Sequence, residues 1–596
     1  MFNLRDWGAD IWERSSRPIR VLIALGAIAA AASLPLLGGT FLNTPVADYG
    51  SVLVFPVAIF VIMALGLNIV IGKSGLLDLG YVAFFAIGAY TMGLLGTKTS
   101  LNSWEILPIG IAMAMFAGLI LGVPALRLRG DYLAIITLGF GEIVRITALN
   151  LNSIGGANGI VGIPTPPTVF GLEYTFDNHR LYFWTFLIII LLTIWMIRRL
   201  SIRRAGRAWE SIRQDEDAAE LMGVPTFRYK IWAFVLGASV GGAAGVLYAS
   251  KTLFISPDNF TLQVSILILA CVVFGGMGNI WGVILGAIIL GYLPDRIRFL
   301  SDARLLVFGA VLVIMMNLRP DGILPERSVR RLCRRRANMS ESILKLDNVT
   351  MQFGGVVALN DVTFEVKKQE ILGLIGPNGA GKTTVFNVIT GVYQITKGSI
   401  AFNGKSISGI KRYRITKGGI ARTFQNIRLW GDMTALENVI TATDTHKKSG
   451  LLSGLFGLPI SRKEEKRDKD RAQELLDFIG IGEYSDRLAK NLPYGVQRRL
   501  EIARALGTNP KLLLLDEPAA GFNPAEKVEL ANTIRKIRDA GYTVLLIEHD
   551  MSLVMGVSDR VVVIDFGQKI ADDLPAKVQN DKRVIEAYLG VPDDAS

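Results

Sequence analysis

Gly376-Pro377-Asn378-Gly379-Ala380-Gly381-Lys382-Thr383 has the composition and spacing of a phosphate-binding loop. The run before it, Ile371-Leu-Gly-Leu-Ile375, reads as a buried strand, and Thr383-Thr-Val-Phe-Asn-Val-Ile389 reads as the helix that follows. Strand, loop and helix in that order are the context the motif requires. Glycines let successive backbone N–H groups turn toward a phosphate, and the helix N-terminus adds the positive end of its dipole. Gly376, Pro377, Asn378, Gly379, Ala380, Gly381, Lys382, Thr383 and Thr384 are therefore the expected nucleotide-binding residues. Lys382 is placed to reach the β- and γ-phosphates, and the Thr383 hydroxyl to ligate Mg²⁺.

Outward from this loop, two further buried-strand patterns end in chemistry. Leu512-Leu-Leu-Leu515 runs into Asp516 and Glu517. Asp516 is the expected Mg²⁺ carboxylate and Glu517 the general base that polarises an attacking water. Thr543-Val-Leu-Leu-Ile547 leads to Glu548-His549-Asp550. The chain has 3 histidines; His179 and His446 read as loop residues, whereas His549, just past a core strand, reads as a γ-phosphate sensor. The catalytic set read here is Glu517, His549 and Lys382.

The other half of the chain is different. Of 596 residues, 51% are hydrophobic and 19% charged, and these averages hide two populations. Residues 1–337 hold long apolar runs; 340–596 read as an ordinary α/β protein. The expected domains are a membrane domain over 1–325, a basic linker over 326–341 and a nucleotide-binding domain over 342–596. A span needs about 20 apolar residues at about 1.5 Å each. Candidate spans are 21–38, 51–71, 81–95, 106–124, 132–148, 181–197, 231–250 and 305–317. The shorter runs 262–275 and 280–293 flank Gly275-Gly-Met-Gly-Asn279 and read either as two tilted spans or as one re-entrant hairpin. No small-residue cleavage site clearly ends the first run, which is read as retained.

The formal charge of +12 comes with Arg clusters beside the apolar runs, including Arg14, Arg17 and Arg20, Arg198 to Arg207, and Arg327 to Arg336. That is the positive-inside bias of a multi-pass protein, not a nucleic-acid surface. It puts the N-terminus in the cytoplasm. ATP puts the C-terminal half there too, so the number of crossings is even. The stretch 150–177, with few charges, then falls outside. Cys271 and Cys333 imply no disulfide framework. Glu142 and Arg145, spaced i,i+3, read as a self-neutralised pair or a pathway pair. Asp78 reads as a loop-edge residue.

With these motifs in hand, residues 342–590 resemble an ABC-transporter ATPase. The resemblance implies that Phe353 stacks on adenine. It implies that Gln425, in Arg422-Thr-Phe-Gln-Asn426, contacts Mg²⁺ and links to the membrane domain. Leu492-Pro-Tyr-Gly-Val-Gln497 falls where the family carries Leu-Ser-Gly-Gly-Gln. Gly495 is kept and implied in nucleotide binding; Pro493 replaces the serine. Asn523 stands where an Asp is usual. In the first half, Asp217-Ala-Ala219 followed by Gly223 is similar to the Glu-Ala-Ala…Gly coupling signature of importer permeases, with a short polar helix ending at Gly223. Arg127-Leu-Arg-Gly-Asp-Tyr-Leu-Ala-Ile-Ile-Thr-Leu-Gly-Phe-Gly-Glu142 resembles the permeases of branched-chain amino acid importers.

The resemblance implies an N-terminal polytopic α-helical membrane domain of about 8–10 spans followed by an α/β phosphate-loop ABC ATPase. It implies ATP-driven import of branched-chain amino acids by a half-transporter in the bacterial inner membrane, with its ATPase domain in the cytoplasm. The partners it implies are a second permease and ATPase (a heteromer, with a homodimer open) and a periplasmic solute-binding protein. ATP and Mg²⁺ are the implied cofactors. A urea or short-amide importer, an ABC exporter and an ATP-dependent membrane regulator are the alternatives.

Overall fold

The computed structural model describes residues 17–37, 48–126, 128, 130–168, 171–175, 178–296, 309, 342–446, 450–456 and 458–589. The linker 326–341 and the candidate span 305–317, apart from residue 309, lie outside these. The chain divides into two compact units: 1–198 with 227–326, and 199–226 with 327–596. The loop 199–226 thus folds with the nucleotide-binding unit although it connects two membrane segments.

In the first unit, six helical segments are long and apolar enough to cross a membrane: Tyr49–Lys73, Ser103–Ala125, Tyr132–Asn150, His179–Ser201, Thr226–Thr252 and Pro257–Gly275. Val82–Lys98 and Leu25–Leu36 are shorter apolar helices. Five of the eight full spans expected from the runs coincide with these segments, 81–95 and 21–38 fall on the shorter helices, and the sixth segment, Pro257–Gly275, takes in the short run 262–275. The runs 262–275 and 280–293 form two separate helices, Leu262–Gly275 and Ile280–Arg296. His179 opens a helix and does not lie in a loop.

Nearly all of the apolar core of Tyr49–Lys73 is buried, but little of that of Tyr132–Asn150, so the former is central and the latter peripheral. Close helix approach comes from glycine. A Cβ on Gly245 would lie 2.0 Å from the Phe85 carbonyl oxygen, and one on Gly88 2.1 Å from the Gly242 carbonyl oxygen. Without side chains there, Val82–Lys98 and Thr226–Thr252 meet backbone to backbone.

Between Lys73 and Val82 the helix is interrupted, and its freed backbone groups find side chains from other segments. Leu79 N–H donates to Thr137 Oγ1 at 3.0 Å and Val82 N–H to Ser265 Oγ at 3.1 Å. Gly80 N–H donates to Asp78 Oδ1 at 2.9 Å. Asp78 is indeed outside a helix, but it is buried, at 1% exposure. Irregular backbone at membrane depth is tolerated only when satisfied in this way. Glu142 and Arg145 form the expected pair on one helix face, at 2.5 Å.

The second unit holds two sheets. A four-stranded antiparallel sheet has the order Val356–Val366, Leu344–Phe353, Lys397–Phe402, Lys405–Ser406. A six-stranded sheet has the order Gln568–Asp573, Arg560–Asp565, Ile371–Ile375, Thr543–Ile547, Leu512–Asp516, Ile420–Arg422. All its pairings but the first are parallel. Every residue of Ile371–Ile375, Leu512–Asp516 and Thr543–Ile547 is buried, the continuous apolar pattern of strands covered on both faces.

The loop 199–226 is not one helix ending at Gly223 but two, Arg204–Gln214 and Glu216–Leu221. Asp215 breaks them: it is extended and its side chain accepts the Ala218 N–H at 2.9 Å, an N-cap. Arg207 is buried and forks onto Asp444, at 3.0 Å, and onto Glu465. Burial alone would lower its pKa; the two carboxylates more than offset this and raise it. The helix carrying Glu465, Pro459–Ile479, is thus not only the solvated face that its charge run implies. The Thr416 hydroxyl donates to the Leu221 carbonyl at 2.8 Å and the Thr445 hydroxyl to the Met222 carbonyl at 2.9 Å, holding the second helix's C-terminal end. Asp217 pairs with Arg412 at 2.8 Å. Arg207→Ala leaves Asp444 and Glu465 without the guanidinium they share. The expected cost is about 3–5 kcal/mol, read as faster proteolysis of 199–226 in the full chain; Arg207→Lys is expected to restore only part of the protection.

Candidate functional site

The parallel register builds the site. Ile547 lies opposite Leu374 on one side and opposite Asp516 on the other. The loops that begin at Gly376, Glu517 and Glu548 therefore leave the sheet side by side at its carboxyl edge, the ligand-binding edge of open α/β sheets. Three sequence-distant motifs become neighbours through backbone pairing alone.

Gly376, Gly379 and Gly381 all have positive φ, at 155°, 83° and 103°. A Cβ on Gly376 would lie 2.0 Å from the Ile564 carbonyl oxygen, and nothing lies within 4 Å of one built on Gly379. The first glycine is a packing necessity, while the middle one leaves open space above the loop. The helix Lys382–Ile389 starts directly after it. Lys382 is buried, and its ammonium donates to the Gly376 and Pro377 carbonyls at 2.6 and 2.7 Å. Burial lowers its pKa, against an opposing pull from Glu517. Asn378, Gly379 and Thr383 are exposed and Thr384 is half-buried, so the cradle opens to solvent.

Glu517 stands in the left-handed region, φ 48°, with its N–H on the Ile547 carbonyl at 2.9 Å. That backbone carries a cost for a non-glycine residue and turns the side chain out of the sheet. One carboxylate oxygen lies 2.9 Å from His549 Nε2; the other accepts Gln425 Nε2–H at 3.1 Å. Glu517, His549 and Gln425 are thus brought together, and a carboxylate oriented by two polar neighbours can accept a proton from a water at the loop.

Asp516 is fully buried. Its Oδ2 accepts from Arg422 Nη2 at 2.7 Å, its N–H donates to Thr423 Oγ1 at 3.1 Å, and its Oδ1 has no hydrogen-bond partner among the described residues. Burial raises its pKa, against the lowering effect of Arg422. A buried orphan carboxylate oxygen next to a phosphate loop fits a divalent cation.

Gln425 is placed from below. Arg498, buried on the helix Tyr494–Gly507, donates to the Phe424 carbonyl at 2.8 Å and to the Gln425 carbonyl at 2.5 Å. Farther along the same segment, Arg428 lies 3.5 Å from Asp215 and Asp432 N–H donates to Gln214 Oε1 at 3.3 Å, so it also touches the loop 199–226.

Phe353 and Gly495 stand on other elements than the strand that ends before Glu517. Phe353 closes a hairpin opposite Val356 and is 42% exposed, edge-on to Tyr393 at 5.0 Å between centroids. Gly495 lies in the first turn of Tyr494–Gly507, where Pro493 is the N-cap and offers no side-chain hydrogen bond. Asn523 caps the helix that follows: its side chain accepts the Glu526 N–H at 2.9 Å while Glu526 accepts the Asn523 N–H at 2.9 Å, a capping box. Sequence reading missed Arg422, Thr423, Tyr393 and Arg498. Arg422 and Thr423 stand inside the segment quoted for Gln425, but nothing local there marks their bonds to Asp516. Removing the Arg422 guanidinium leaves Asp516 buried and uncompensated; Arg422→Ala is expected to cost about 3–5 kcal/mol, checked as a lowered thermal midpoint, with Arg422→Lys closer to wild type.

Residues 51–316 match the family described as "Branched-chain amino acid transport system / permease component", 359–520 the family "ABC transporter", and 568–594 the family "Branched-chain amino acid ATP-binding cassette transporter". The C-terminal half is 47% identical over 253 residues to the high-affinity branched-chain amino acid transport ATP-binding protein BraF of Pseudomonas aeruginosa, covering 42% of this chain and 99% of BraF. It is equally 47% identical over 253 residues to the corresponding LivG of Escherichia coli strain K12, with 42% and 99% covered. The N-terminal half is 46% identical over 289 residues to the high-affinity branched-chain amino acid transport system permease protein LivM of Escherichia coli strain K12, covering 45% of this chain and 68% of LivM. With both halves matched at this level and the nucleotide-site geometry in place, the chain belongs to the branched-chain amino acid ABC transporter family, with a permease component and an ATP-binding component in one polypeptide.

Proposed function

We propose that this chain is half of an ATP-driven importer of branched-chain amino acids, working in the bacterial inner membrane with its ATPase unit in the cytoplasm. The observation that carries the reading is that one polypeptide unites relatives of both components of a single amino-acid system. We assign the domains as 1–325, 326–341 and 342–596, except that the loop 199–226 folds with the ATPase unit. The partners are a second permease, a second ATPase and a periplasmic solute-binding protein. Import takes preference over urea or amide uptake and over export because the relatives of both halves are named for branched-chain amino acids.

In the proposed reaction, Gly376 to Thr384 hold the phosphates by backbone N–H groups and Lys382 neutralises the β- and γ-phosphate charge. Lys382 must leave the Gly376 and Pro377 carbonyls to do so. Glu517 takes a proton from the attacking water, His549 senses the γ-phosphate while orienting Glu517, and Gln425 reports on the same carboxylate. Phe353 stacks on the adenine, and Gly495 presents the N-terminal turn of Tyr494–Gly507 to the nucleotide of the opposing ATPase. Pro493 supplies no hydroxyl, so this contact rests on backbone N–H groups. Among the described residues no group of three or more His, Cys, Asp or Glu side chains gathers for a metal. Mg²⁺ here would be held by Asp516, Thr383 and Gln425 and would supply positive charge to the substrate phosphates.

Vesicles containing the chain, its partner subunits and a leucine-loaded binding protein are expected to accumulate leucine only with ATP. Efflux without the binding protein would instead establish an exporter, uptake of urea in place of leucine an amide importer, and ATP turnover with no flux a regulator. Glu517→Gln is expected to retain ATP binding and to lower turnover about 100-fold or more, within the range that a positioned general base contributes. Lys382→Ala is expected to weaken ATP binding; titration with a fluorescent ATP analogue checks both variants.

A further inference from the structure

Glu548 follows the core strand Thr543–Ile547 and is 5% exposed. It takes no part in the reaction proposed above. Burying a carboxylate is costly unless it is hydrogen-bonded, and here no side-chain cation pays that cost at hydrogen-bond distance among the described residues. The partners are backbone instead. Glu548 Oε1 accepts the Ala519 N–H at 2.6 Å, and Oε2 accepts the His549 N–H at 3.1 Å. Burial pushes its carboxyl up, and the N–H groups of Ala519, His549 and Asp550 pull it back.

The two loops it joins are the ones that matter. Ala519 lies two residues after Glu517, whose left-handed backbone is held on its near side by the Ile547 carbonyl at 2.9 Å. A strained residue of this kind persists only where its surroundings over-determine it. Glu548 holds the far side of that turn. Its other oxygen fixes the backbone of His549, whose ring lies 2.9 Å from Glu517. A hydroxyl or amide would satisfy one such N–H; a carboxylate satisfies both at once, with charge-assisted bonds.

We infer that Glu548 is a positioning residue for ATP hydrolysis, a buried carboxylate that sets the distance between Glu517 and His549 by clamping the backbone of both loops. The inference rests on the ATPase reading above. It touches neither nucleotide nor water, so its loss displaces the Glu517 carboxylate while leaving the phosphate loop intact.

The test is steady-state hydrolysis by the full chain assembled with its partner subunits in lipid nanodiscs, with KM for ATP and the affinity for a fluorescent ATP analogue measured alongside. Glu548→Ala is expected to lower kcat about 10- to 100-fold, the scale on which sub-ångström to ångström misplacement acts, with KM and analogue affinity unchanged. Glu548→Gln keeps one acceptor oxygen and is expected to fall between the two. If Glu548→Ala does not fold, Glu548→Gln decides alone: reduced kcat at unchanged KM supports the inference. Wild-type kcat in either folded variant overturns it, as does a loss of kcat matched by an equal loss of nucleotide affinity. A wild-type assembly that binds the analogue but hydrolyses nothing overturns the ATPase reading itself, a separate outcome.

Discussion

Backbone pairing of Thr543–Ile547 with both Ile371–Ile375 and Leu512–Asp516 is the constraint on which the nucleotide site depends. These strands are buried on both faces, so each is apolar along its interior and its polar residues sit at the strand ends. The chemistry is pushed to the residue at or just past each strand end. A register slip of one residue would separate Gly376, Glu517 and Glu548 along the strand direction by about 3.3 Å, more than the hydrogen bonds among Glu517, His549 and Gln425 tolerate. The Leu, Ile and Val side chains above and below the sheet fix the register, and the register fixes the site.

A second layer surrounds this edge. The segment from Phe424 to Asp432 is held by Arg498 and Glu501 on the helix Tyr494–Gly507, with Arg428 N–H on Glu501 Oε1 at 3.0 Å. The same segment meets Asp215 and Gln214 of the loop 199–226. That loop is anchored through a buried guanidinium, Arg207, on two carboxylates. Replacing such a network by apolar packing is often neutral for stability; what it provides is a defined geometry between a segment leaving the membrane spans and one that carries Gln425. Arg504 extends the layer, with its guanidinium 4.6 Å from the Trp430 ring centre.

How much was legible follows from what each signal encodes. Ile371–Ile375 and Thr543–Ile547 were readable to the residue because an uninterrupted apolar run has one use in a soluble α/β protein. The break at Asp215 was not, because a helix-favouring run hides an N-cap whose acceptor role is set by its extended backbone. Val82–Lys98, read as a span from its apolar length, is a 17-residue helix, shorter than the six that are long enough to cross among the described residues. Glu142 and Arg145 were readable as a pair because i,i+3 spacing is local. Arg422 with Asp516, 94 residues apart, and Arg207 with Asp444, 237 apart, were not.

The sequence by itself determined the inventory: a phosphate loop in its strand–helix frame, two carboxylates and a histidine past apolar strands, and a membrane-embedded first half. Those are local properties, written in spacing and hydropathy. Only the tertiary structure decided which polar groups share an oxygen, that Glu517 lies between His549 and Gln425, that Asp516 keeps one oxygen unpaired, and that 199–226 folds with the ATPase unit. Hydrogen bonds between distant residues depend on ångström-scale placement by sheet register and buried packing, and a one-dimensional pattern carries no such distances.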